Sequence, residues 1–296
     1  MRSLLFVPAD SEKKLAKALG CGADALIVDL EDSVALDRKA AARSLAAAFL
    51  RETVTRPDRP RLYVRINAHD TPYWQDDIAG VLAARPDGLM QPKPRSARDV
   101  DALAAYLDTA EPQAGLAPRH TRIIAIATEV PASVLAMHTY LDATPRLEAL
   151  TWGAEDLSAL VGSPSTRTAD GWSWTSPYRL ARDLTLMAAT ATGRQPIDTV
   201  FANFRNTDGF KAECAEAVRD GFTAKMAIHP DQVALINSAF TPSATEIDWA
   251  REITALFAAN PGAGALSLRG QMIDRPHLVR ANRILATIQS VKGPTP

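Results

Sequence analysis

The chain has 296 residues, of which 47% are hydrophobic and 23% are charged, and its formal net charge is -1. These values are typical of a globular protein, and the near-zero charge argues against bulk attraction to nucleic acid or to an anionic membrane. No segment approaches the ~18 consecutive apolar residues that a membrane-spanning helix requires. Two cysteines without a CxxC spacing, and the lack of an HExxH motif, give no support to a zinc site or a disulfide framework. The composition therefore predicts a reduced, cytoplasmic protein with no nucleic-acid or membrane partner.

Short apolar runs alternate with longer segments that carry apolar residues at helical spacing. The apolar runs lie at residues 4–8, 25–31, 61–67, 88–93, 122–129, 147–153, 198–204 and 223–229. The helical segments between them include residues 12–19, 38–52, 97–107 and 178–192. Continuous apolar strands separated by helices indicate a parallel sheet that is covered on both faces. Eight such units in roughly 230 residues predict an α/β fold, a closed (β/α)8 TIM barrel.

The pattern changes after residue 229. Residues 230–240 and 245–259 have helical spacing, residues 260–264 predict a flexible break, and Pro276 opens a last helix. We therefore expect a barrel domain over residues 1–240 and a helical extension over residues 241–296. The extension is either a lid or subunit-interface arm, or a helical segment packed on the side of its own barrel. A loop at residues 162–177 is expected to shape one end of the barrel.

Reactive side chains stand where the predicted strands end. In (β/α)8 enzymes the active site lies at the C-terminal ends of the strands, which together form the mouth of the barrel. The residues at these positions are Asp29, Glu31, Asp32, Arg65, Asn67, Lys93, Glu129, Glu155, Asp156 and His229. Because barrel interiors otherwise prefer apolar packing, this set predicts a functional site at the mouth.

Glu129 and Asp156 follow neighbouring predicted strands, so their carboxylates can share one cation. Hard oxygen ligands without His or Cys partners suit Mg2+, which keeps several waters and often uses one or two protein carboxylates. Either acid alone is also typical of the first turn of a helix, where a carboxylate is stabilised by the helix dipole. As a pair at the mouth, the two residues predict a metal site.

Three cationic residues have both a functional and a structural interpretation. Arg65 ends an apolar strand, where it binds either a substrate carboxylate or a structural partner such as Asp29. Lys93 belongs to either the arginine or the metal network, or acts as a Schiff-base amine, which is the less favoured idea. Lys13 and Lys17 lie four residues apart on one helix face, where they bind phosphates or remain solvated.

Six segments resemble the citrate lyase β-subunit-like family, within the HpcH/HpaI aldolase and citrate lyase superfamily that includes malyl-CoA and citramalyl-CoA lyases. They are SLLFVP at 3–8, IVDLEDSV at 27–34, VRIN at 64–67, GAEDL at 153–157, AIHPDQV at 227–233 and MIDRP at 272–276. Together they span nearly the whole chain in order, so the resemblance covers the barrel and the extension.

The resemblance implies a role for each matching residue. Glu129 and Asp156 match the family's Mg2+ ligands, and Arg65 matches the arginine that holds the 2-oxo acid carboxylate. Lys13 and Lys17 match lysines near the coenzyme A phosphates, and Ile228 and His229 match substrate-binding positions. Asp274 matches a lid aspartate that acts as acid or base on the thioester carbon, often from a neighbouring subunit. The family usually forms trimers or hexamers, so a homo-oligomer is implied.

The sequence departs from the family pattern at several positions. Gln91 replaces an aliphatic residue, Arg95 replaces an acidic one, and Asn203 and Asn206 stand where acids are common. Thr128-Glu129-Val130 also replaces the commoner Glu-Thr sequence. These changes put the acyl group in doubt but leave the predicted metal ligands, arginine and lid acid in place.

The resemblance implies an Mg2+-dependent carbon–carbon lyase. It would cleave or form a 3-hydroxyacyl-CoA such as malyl-, methylmalyl- or citramalyl-CoA, with glyoxylate or pyruvate and an acyl-CoA as the other species. The alternatives are a citrate lyase β subunit acting on citryl-acyl carrier protein, an aldolase acting on free 2-oxo acids, and a non-catalytic acyl-CoA-binding homologue.

Overall fold

The computed structural model describes residues 1–169 and 171–291. The chain forms two compact units: one runs from Arg2 to Asn237, and the other comprises Met1 and the residues from Ser238 onward. The last five residues of the predicted extension, 292–296, lie outside the described residues, as does Asp170 in the predicted loop at 162–177.

The larger unit contains a closed barrel of eight parallel strands, which confirms the predicted (β/α)8 fold. The strands are β1 (Ser3–Pro8), β2 (Ala25–Asp29), β3 (Arg61–Arg65), β4 (Gly88–Gln91), β5 (Arg122–Ile126), β6 (Leu147–Thr151), β7 (Gln195–Asp198) and β8 (Ala224–Ala227). Each strand pairs with the next in the chain, and β1 pairs with β8, where Leu5 lies opposite Ala227. Every strand therefore ends at the same side of the barrel.

Helices follow the strands and cover the barrel. They are α1 (Glu12–Ala18), α2 (Lys39–Thr53), α3 (Trp74–Val81), α4 (Ala97–Gln113), α5 (Pro131–Leu135), α6 (Glu155–Val161), α7 (Ser176–Ala191), α8 (Thr207–Asp220) and α9 (Pro230–Ala239). Short 3-10 turns occur at Leu36–Arg38, Leu82–Ala84 and Met137–Asp142. Ser11 and Ser96 cap α1 and α4 by accepting a backbone N–H bond, as expected of N-cap serines. Within the described residues, no helix combines the length and apolar character needed to cross a bilayer.

The barrel strands are buried on both faces, which accounts for their continuous apolar runs. Leu26, Ile27 and Val28 of β2 are all fully buried. Gly88 at the start of β4 is needed for a close approach, because an added Cβ would lie 2.6 Å from the Tyr63 ring and 2.6 Å from the Arg122 carbonyl oxygen. Successive side chains of each strand therefore pack alternately inside the barrel and against the surrounding helices.

The predicted seventh strand at residues 198–204 was wrong. The strand lies earlier, at Gln195–Asp198, where Ala149 pairs with Gln195 and Ile197 pairs with Ala224. Pro196 made this segment an unfavourable strand candidate, because proline lacks the N–H that a central strand donates. The Pro196 carbonyl still accepts a hydrogen bond from the Thr223 N–H at 3.1 Å, so Pro196 contributes an acceptor to the sheet although it lacks a donor.

The C-terminal unit contains α10 (Ala244–Ala259), the antiparallel strands β9 (Ala265–Leu268) and β10 (Gln271–Asp274), and α11 (Arg275–Val291). Ser243 and Glu246 form a capping box at the start of α10. Ile253, Phe257 and Ile273 belong to its own buried apolar cluster.

The hairpin of β9 and β10 was not predicted from the sequence. Its two-residue turn is Arg269-Gly270, and both residues have positive φ, at 50° and 78°. That is the backbone of a type I′ turn, whose usual sequence is Asn-Gly or Asp-Gly. Arginine at the first position concealed the turn, although β9 alternates exposed and less exposed residues.

A buried ion pair stabilises the opposite end of the barrel, where β6 begins. Arg146 lies 2.7 Å from each Glu111 carboxylate oxygen and 2.5 Å from Asp108, and it also donates to the Thr121 carbonyl at 3.1 Å. Glu111 is fully buried and accepts further bonds from the N–H groups of Arg119 and Thr121. One arginine therefore joins α4 to the start of β5 and β6.

We expect Arg146→Met to lower the free energy of unfolding by about 3–5 kcal/mol, because it leaves the buried Glu111 carboxylate uncompensated. Urea denaturation at neutral pH measures this change. Arg251→Met is the matched control: its pair with Asp248 is exposed, so its effect should stay within about 0.5 kcal/mol. Equal effects of the two substitutions would refute the assignment.

Candidate active site

A cavity of about 420 Å³ lies at the mouth of the barrel. Its size falls in the range that binds small ligands. Its charged lining residues are Asp29, Asp32, Arg65, Glu129, Glu155 and Asp156. Its apolar lining includes Phe6, Ile126, Trp152, Val200, Met226 and Ile228. The structure thus brings together Arg65, Glu129, Asp156 and Ile228, four of the predicted site residues, in one pocket.

Arg65 at the end of β3 forms a two-point ion pair with Asp29 at the end of β2. The two Nε/Nη2 to Oδ distances are both 2.7 Å, and the guanidinium also lies 4.9 Å from the centre of the Phe6 ring. Burial alone would raise the pKa of Asp29, but Arg65 holds it below its ordinary value. The pairing of Arg65 with Asp29 that the sequence allowed is therefore present.

Arg65 also contacts Glu31, with 2.9 Å between Nη1 and Oε2. A guanidinium has five N–H donors, and the two hydrogen bonds to Asp29 use two of them, while Nη1 also lies 3.6 Å from Oδ2 of Asp32. Because Arg65 lines the cavity, the remaining donors are available to a bound carboxylate. The structural and ligand-binding roles of Arg65 are thus compatible.

Lys93 lies in a ring of carboxylates. Its ammonium is 2.5 Å from Glu31, 3.1 Å from Asp32 and 3.4 Å from Asp156. Burial would lower the pKa of Lys93, but Glu31 and its acidic neighbours raise it above the ordinary value. An ammonium with three anionic contacts is not a free nucleophile, which argues against the Schiff-base role.

Glu129 follows β5 and is nearly inaccessible to solvent. One oxygen, Oε2, accepts a 2.7 Å bond from the Lys93 backbone N–H. Burial, together with repulsion from Glu31 and Asp156, raises the pKa of Glu129 to about 8. Burial, together with repulsion from Asp32, likewise raises the pKa of Glu31 to about 7. Ionisation of these two buried carboxyl groups is therefore unfavourable without a further positive charge.

Asp156 lies in the first turn of α6, immediately after β6. A carboxylate is favoured there by the helix dipole, so its position has a structural reason as well. Its side chain is only partly exposed, lines the cavity and faces Lys93. Glu129 and Asp156 thus come from adjacent strand ends, as the sequence indicated.

The donor set fits a divalent cation. Five carboxylates, those of Asp29, Glu31, Asp32, Glu129 and Asp156, surround the two cations Arg65 and Lys93. Within the described residues, no group of three or more His, Cys, Asp or Glu encloses a metal by itself. Two carboxylates with room for water suit Mg2+ better than a metal that requires a complete protein cage.

Gly153 has a role in this site that the sequence analysis missed. A Cβ added at this residue would lie 2.8 Å from Cγ of Glu129. The absence of a side chain between Trp152 and Ala154 therefore makes the space in which Glu129 lies. A glycine directly after a predicted strand, next to an acid on the neighbouring strand, is the signal that could have identified it.

Trp152 forms part of the cavity wall and was also missed. Its Nε1–H donates to Asp198 at 2.8 Å, and Asp198 lies 2.7 Å from the ammonium of the fully buried Lys225. Trp174, from the loop predicted to shape the mouth, packs edge-on against Trp152 at 4.9 Å. A lysine inside the apolar run of β8 was the available signal for this network.

The other predicted barrel residues have different surroundings. The Ile228 and His229 backbone N–H groups both donate to the Gln232 side chain, and the His229 ring stacks on Phe204 with centroids 4.8 Å apart. Asn67 was expected to contribute to the site at the mouth, but its side chain does not line the cavity. It donates instead to Asp77 and to the Leu30 carbonyl.

Lys13 and Lys17 are exposed on α1, which follows β1 directly. Lys13 is in the first turn and Lys17 in the last, so Lys13 is the nearer of the two to the C-terminal end of the strand. Neither contributes to the cavity lining.

Asp274 ends β10 in the C-terminal unit and precedes α11. Its Oδ1 lies 2.6 Å from Nδ1 of His277, and its backbone N–H lies 3.2 Å from the same nitrogen. Both residues are partly exposed. In the described part of the chain, His277 is the hydrogen-bond partner of this carboxylate.

Two departures from the family pattern have structural explanations. The Gln91 side chain points to α4, where it donates to the Asp99 carbonyl at 3.1 Å. Asn206 caps α8 by accepting a bond from the Gly209 N–H at 3.0 Å. These two substitutions therefore carry no information about the acyl group.

The protein-family comparison gives a match over most of the chain. The model described as HpcH/HpaI aldolase/citrate lyase matches residues 2–230. A citrate lyase subunit beta-like protein of Mycobacterium tuberculosis is 35% identical over 281 residues, which cover 95% of this chain and 93% of that protein.

Two relatives from Cereibacter sphaeroides carry different activities in their names. A (3S)-malyl-CoA thioesterase is 34% identical, with 98% of this chain and 95% of that protein covered. An L-malyl-CoA/beta-methylmalyl-CoA lyase is 33% identical, with 99% and 96% covered.

Among solved structures, CitE of M. tuberculosis in complex with magnesium, acetoacetate and coenzyme A superposes with a TM-score of 0.77. It shares 34% sequence identity, and the alignment covers 97% of each chain. Sequence and fold agree over the same length, which confirms the resemblance: the chain belongs to the HpcH/HpaI aldolase/citrate lyase family of carbon–carbon lyases.

Proposed function

We propose that the protein is a Mg2+-dependent lyase that cleaves or forms a 3-hydroxyacyl-CoA, with malyl-, β-methylmalyl- and citramalyl-CoA as the candidate substrates. The observation that carries the proposal is the presence of Arg65, Glu129 and Asp156 around one cavity. The names and ligands of the relatives, which include coenzyme A, magnesium and 2-oxo acids, support it.

Glu129 and Asp156 are the proposed Mg2+ ligands. When bound, the cation supplies Lewis-acid stabilisation to oxygens on which negative charge develops. Burial, together with repulsion from Glu31 and Asp156, raises the pKa of Glu129, and a bound cation would offset both effects.

Arg65 orients the substrate through its remaining N–H groups, which donate to the carboxylate that becomes part of the 2-oxo acid. Asp29 keeps the guanidinium fixed, so little conformational entropy is lost on binding. Trp152, Met226 and Ile228 give the cavity an apolar wall that excludes water from the reacting carbons.

In the cleavage direction, the hydroxyl gives its proton to a water molecule, and the bond between its carbon and the thioester α-carbon breaks. The electron pair stays on the thioester as an enolate, and the other fragment leaves as the 2-oxo acid. Asp274 is the proposed acid that protonates the α-carbon, and His277 orients its carboxylate. Lys13 and Lys17 are proposed to bind the coenzyme A phosphates, and His229 to contact the substrate beside Ile228.

We retain the division of roles predicted from the sequence, with a catalytic barrel at 1–240 and a lid or oligomer arm at 241–296. A homotrimer or hexamer is part of this proposal. Cys21 and Cys214 are both free thiols, which supports a reducing compartment such as the cytoplasm.

A second candidate is hydrolysis of the thioester, favoured by the malyl-CoA thioesterase relatives. In that reaction water adds to the thioester carbonyl and releases the hydroxy acid and free coenzyme A, with the carbon–carbon bond intact. Lyase and thioesterase products are chemically distinct, so one assay separates them.

The assay measures 2-oxo acid and free thiol separately for the three candidate thioesters, with Mg2+ and then with EDTA. Metal-dependent release of glyoxylate or pyruvate without free thiol is expected for a lyase. Release of free thiol without 2-oxo acid would contradict the lyase proposal and identify the protein as a thioesterase. No reaction with any thioester would contradict both and favour a carrier-protein substrate or a binding protein.

We expect Asp156→Asn to lower Mg2+ affinity by more than the ~10–100-fold that loss of an outer partner of a metal site costs. Turnover should be lost while the fold is retained. Asp208→Asn is the matched control, because it removes an exposed carboxylate from the first turn of α8, outside the cavity lining. Calorimetry should show less than about a threefold change for this control, since solvent screens exposed charges. Unchanged affinity in Asp156→Asn would reject Asp156 as a ligand.

Gly153→Ala should displace Glu129, because the new Cβ and the Glu129 Cγ cannot remain 2.8 Å apart. Affinity for Mg2+ should fall by about tenfold, the lower end of the range for loss of a supporting contact. Gly262→Ala adds a methyl group where nothing lies within 4 Å, and it controls for the general effect of the substitution. Wild-type affinity in Gly153→Ala would show that Glu129 does not depend on this space.

Asp274→Asn should bind Mg2+ like the wild type but lose turnover by about 10²–10⁴-fold, the usual range for a general acid or base. The specific measurement is deuterium exchange at the α-carbon of an acyl-CoA in D2O, which requires only the proton-transfer step. Normal exchange in the variant would exclude Asp274 from that step.

A further inference from the structure

Lys93 has an unusual backbone conformation for its residue type. It lies between Pro92 and Pro94 directly after β4, and its φ is +52°. A non-glycine residue in the left-handed region costs of order 1 kcal/mol and persists only when its surroundings determine it. Two of the groups that contact Lys93 are the carboxylates of Glu129 and Asp156, which are proposed to bind the cation.

The first contact is made by the backbone of Lys93. Its N–H donates to Oε2 of Glu129 at 2.7 Å and so fixes one oxygen of that side chain. Gly153 leaves room for the other oxygen, because Oε1 would be 3.3 Å from a Cβ added at this residue. One oxygen of Glu129 is therefore held by a backbone N–H, and the other lies in the space that a glycine provides.

The second contact is made by the ammonium, which lies 3.4 Å from Oδ1 of Asp156 and is also bound to Glu31 and Asp32. Its side chain is about one-quarter exposed. A single residue thus contacts both proposed metal ligands, one through its backbone and the other through its side-chain charge.

We propose that Lys93 is a positioning residue that determines both the geometry and the affinity of the cation site. Its backbone N–H orients Glu129, and its ammonium serves as an internal counter-cation that competes with the metal for Asp156. This inference rests on the proposed function, because it takes Glu129 and Asp156 as the ligands.

The competition follows from charge. A cation held by Asp156 and the Lys93 ammonium would share one carboxylate within a few Å, and two positive charges that close repel each other. Glu31 and Asp32 provide an alternative location for the ammonium, because they bind it without involving Asp156. Cation binding therefore shifts the ammonium from Asp156 toward these two acids.

The test is direct Mn2+ binding to the metal-free full-length protein, followed by electron paramagnetic resonance without substrate. Lys93→Met removes the charge, keeps the backbone N–H and has similar length. It should bind Mn2+ about tenfold or more tightly than the wild type, because a repelling charge beside a partly buried cation is lost. Lys14→Met, which removes the same charge from an exposed position on α1, should leave the affinity unchanged.

Unchanged or weaker binding in Lys93→Met would overturn the proposal, since a purely structural lysine can only loosen the site when it is removed. If the wild type binds no Mn2+, the proposed metal site itself fails. The two failures are therefore distinguishable.

A second variant separates the charge of Lys93 from the loss of its side chain. Lys93→Arg keeps the backbone N–H and a positive charge, so it should not bind Mn2+ more tightly than the wild type. Tightening equal to that of Lys93→Met would contradict the competition, because the charge would then not be its cause.

Discussion

The ion pair between Arg65 and Asp29 is the interaction on which the mouth of the barrel depends. Asp29 is buried at the end of β2 and remains ionised because Arg65 binds it at two points. The same carboxylate accepts the backbone N–H groups of Glu31 and Ser33, so it orders the loop that follows. Glu31 in turn binds Lys93, and Lys93 binds Glu129. The ends of strands β2 to β5 are thus connected through one sequence of contacts.

The two ends of the barrel use charge in opposite ways. Around Arg146, each buried carboxylate oxygen of Glu111 has a cationic or N–H partner, so this end needs no further ligand. At the mouth, carboxylates outnumber cations, and burial together with repulsion from Glu31 and Asp156 raises the pKa of Glu129. An uncompensated cluster is unfavourable for stability, and a divalent cation relieves it. The imbalance is therefore a property of the functional end of the barrel.

The family contains relatives named as lyases and as a thioesterase, at nearly the same identity to this chain. A shared cavity explains how both are possible, because a metal, an arginine and an apolar wall would bind the same acyl group in either reaction. The difference is then in which bond is attacked. Hydrolysis requires water at the thioester, and Trp152, whose ring N–H donates to Asp198, forms part of the apolar wall of the cavity.

The barrel could be predicted from the sequence, because apolar strands and intervening helices alternate along most of the chain. Arg65, Glu129 and Asp156 could be chosen as candidate site residues, because charged residues at strand ends are unfavourable unless they have a function. It misplaced the seventh strand at Pro196 and missed the turn at Arg269-Gly270, where local residue preference and structure disagree. The contacts that each of these side chains makes became known only from the tertiary structure. The space that Gly153 leaves for Glu129, and the two contacts of Lys93, join residues that are distant in the chain. Such contacts depend on distances of a few tenths of an ångström between neighbouring strands, and no periodicity in the sequence encodes them.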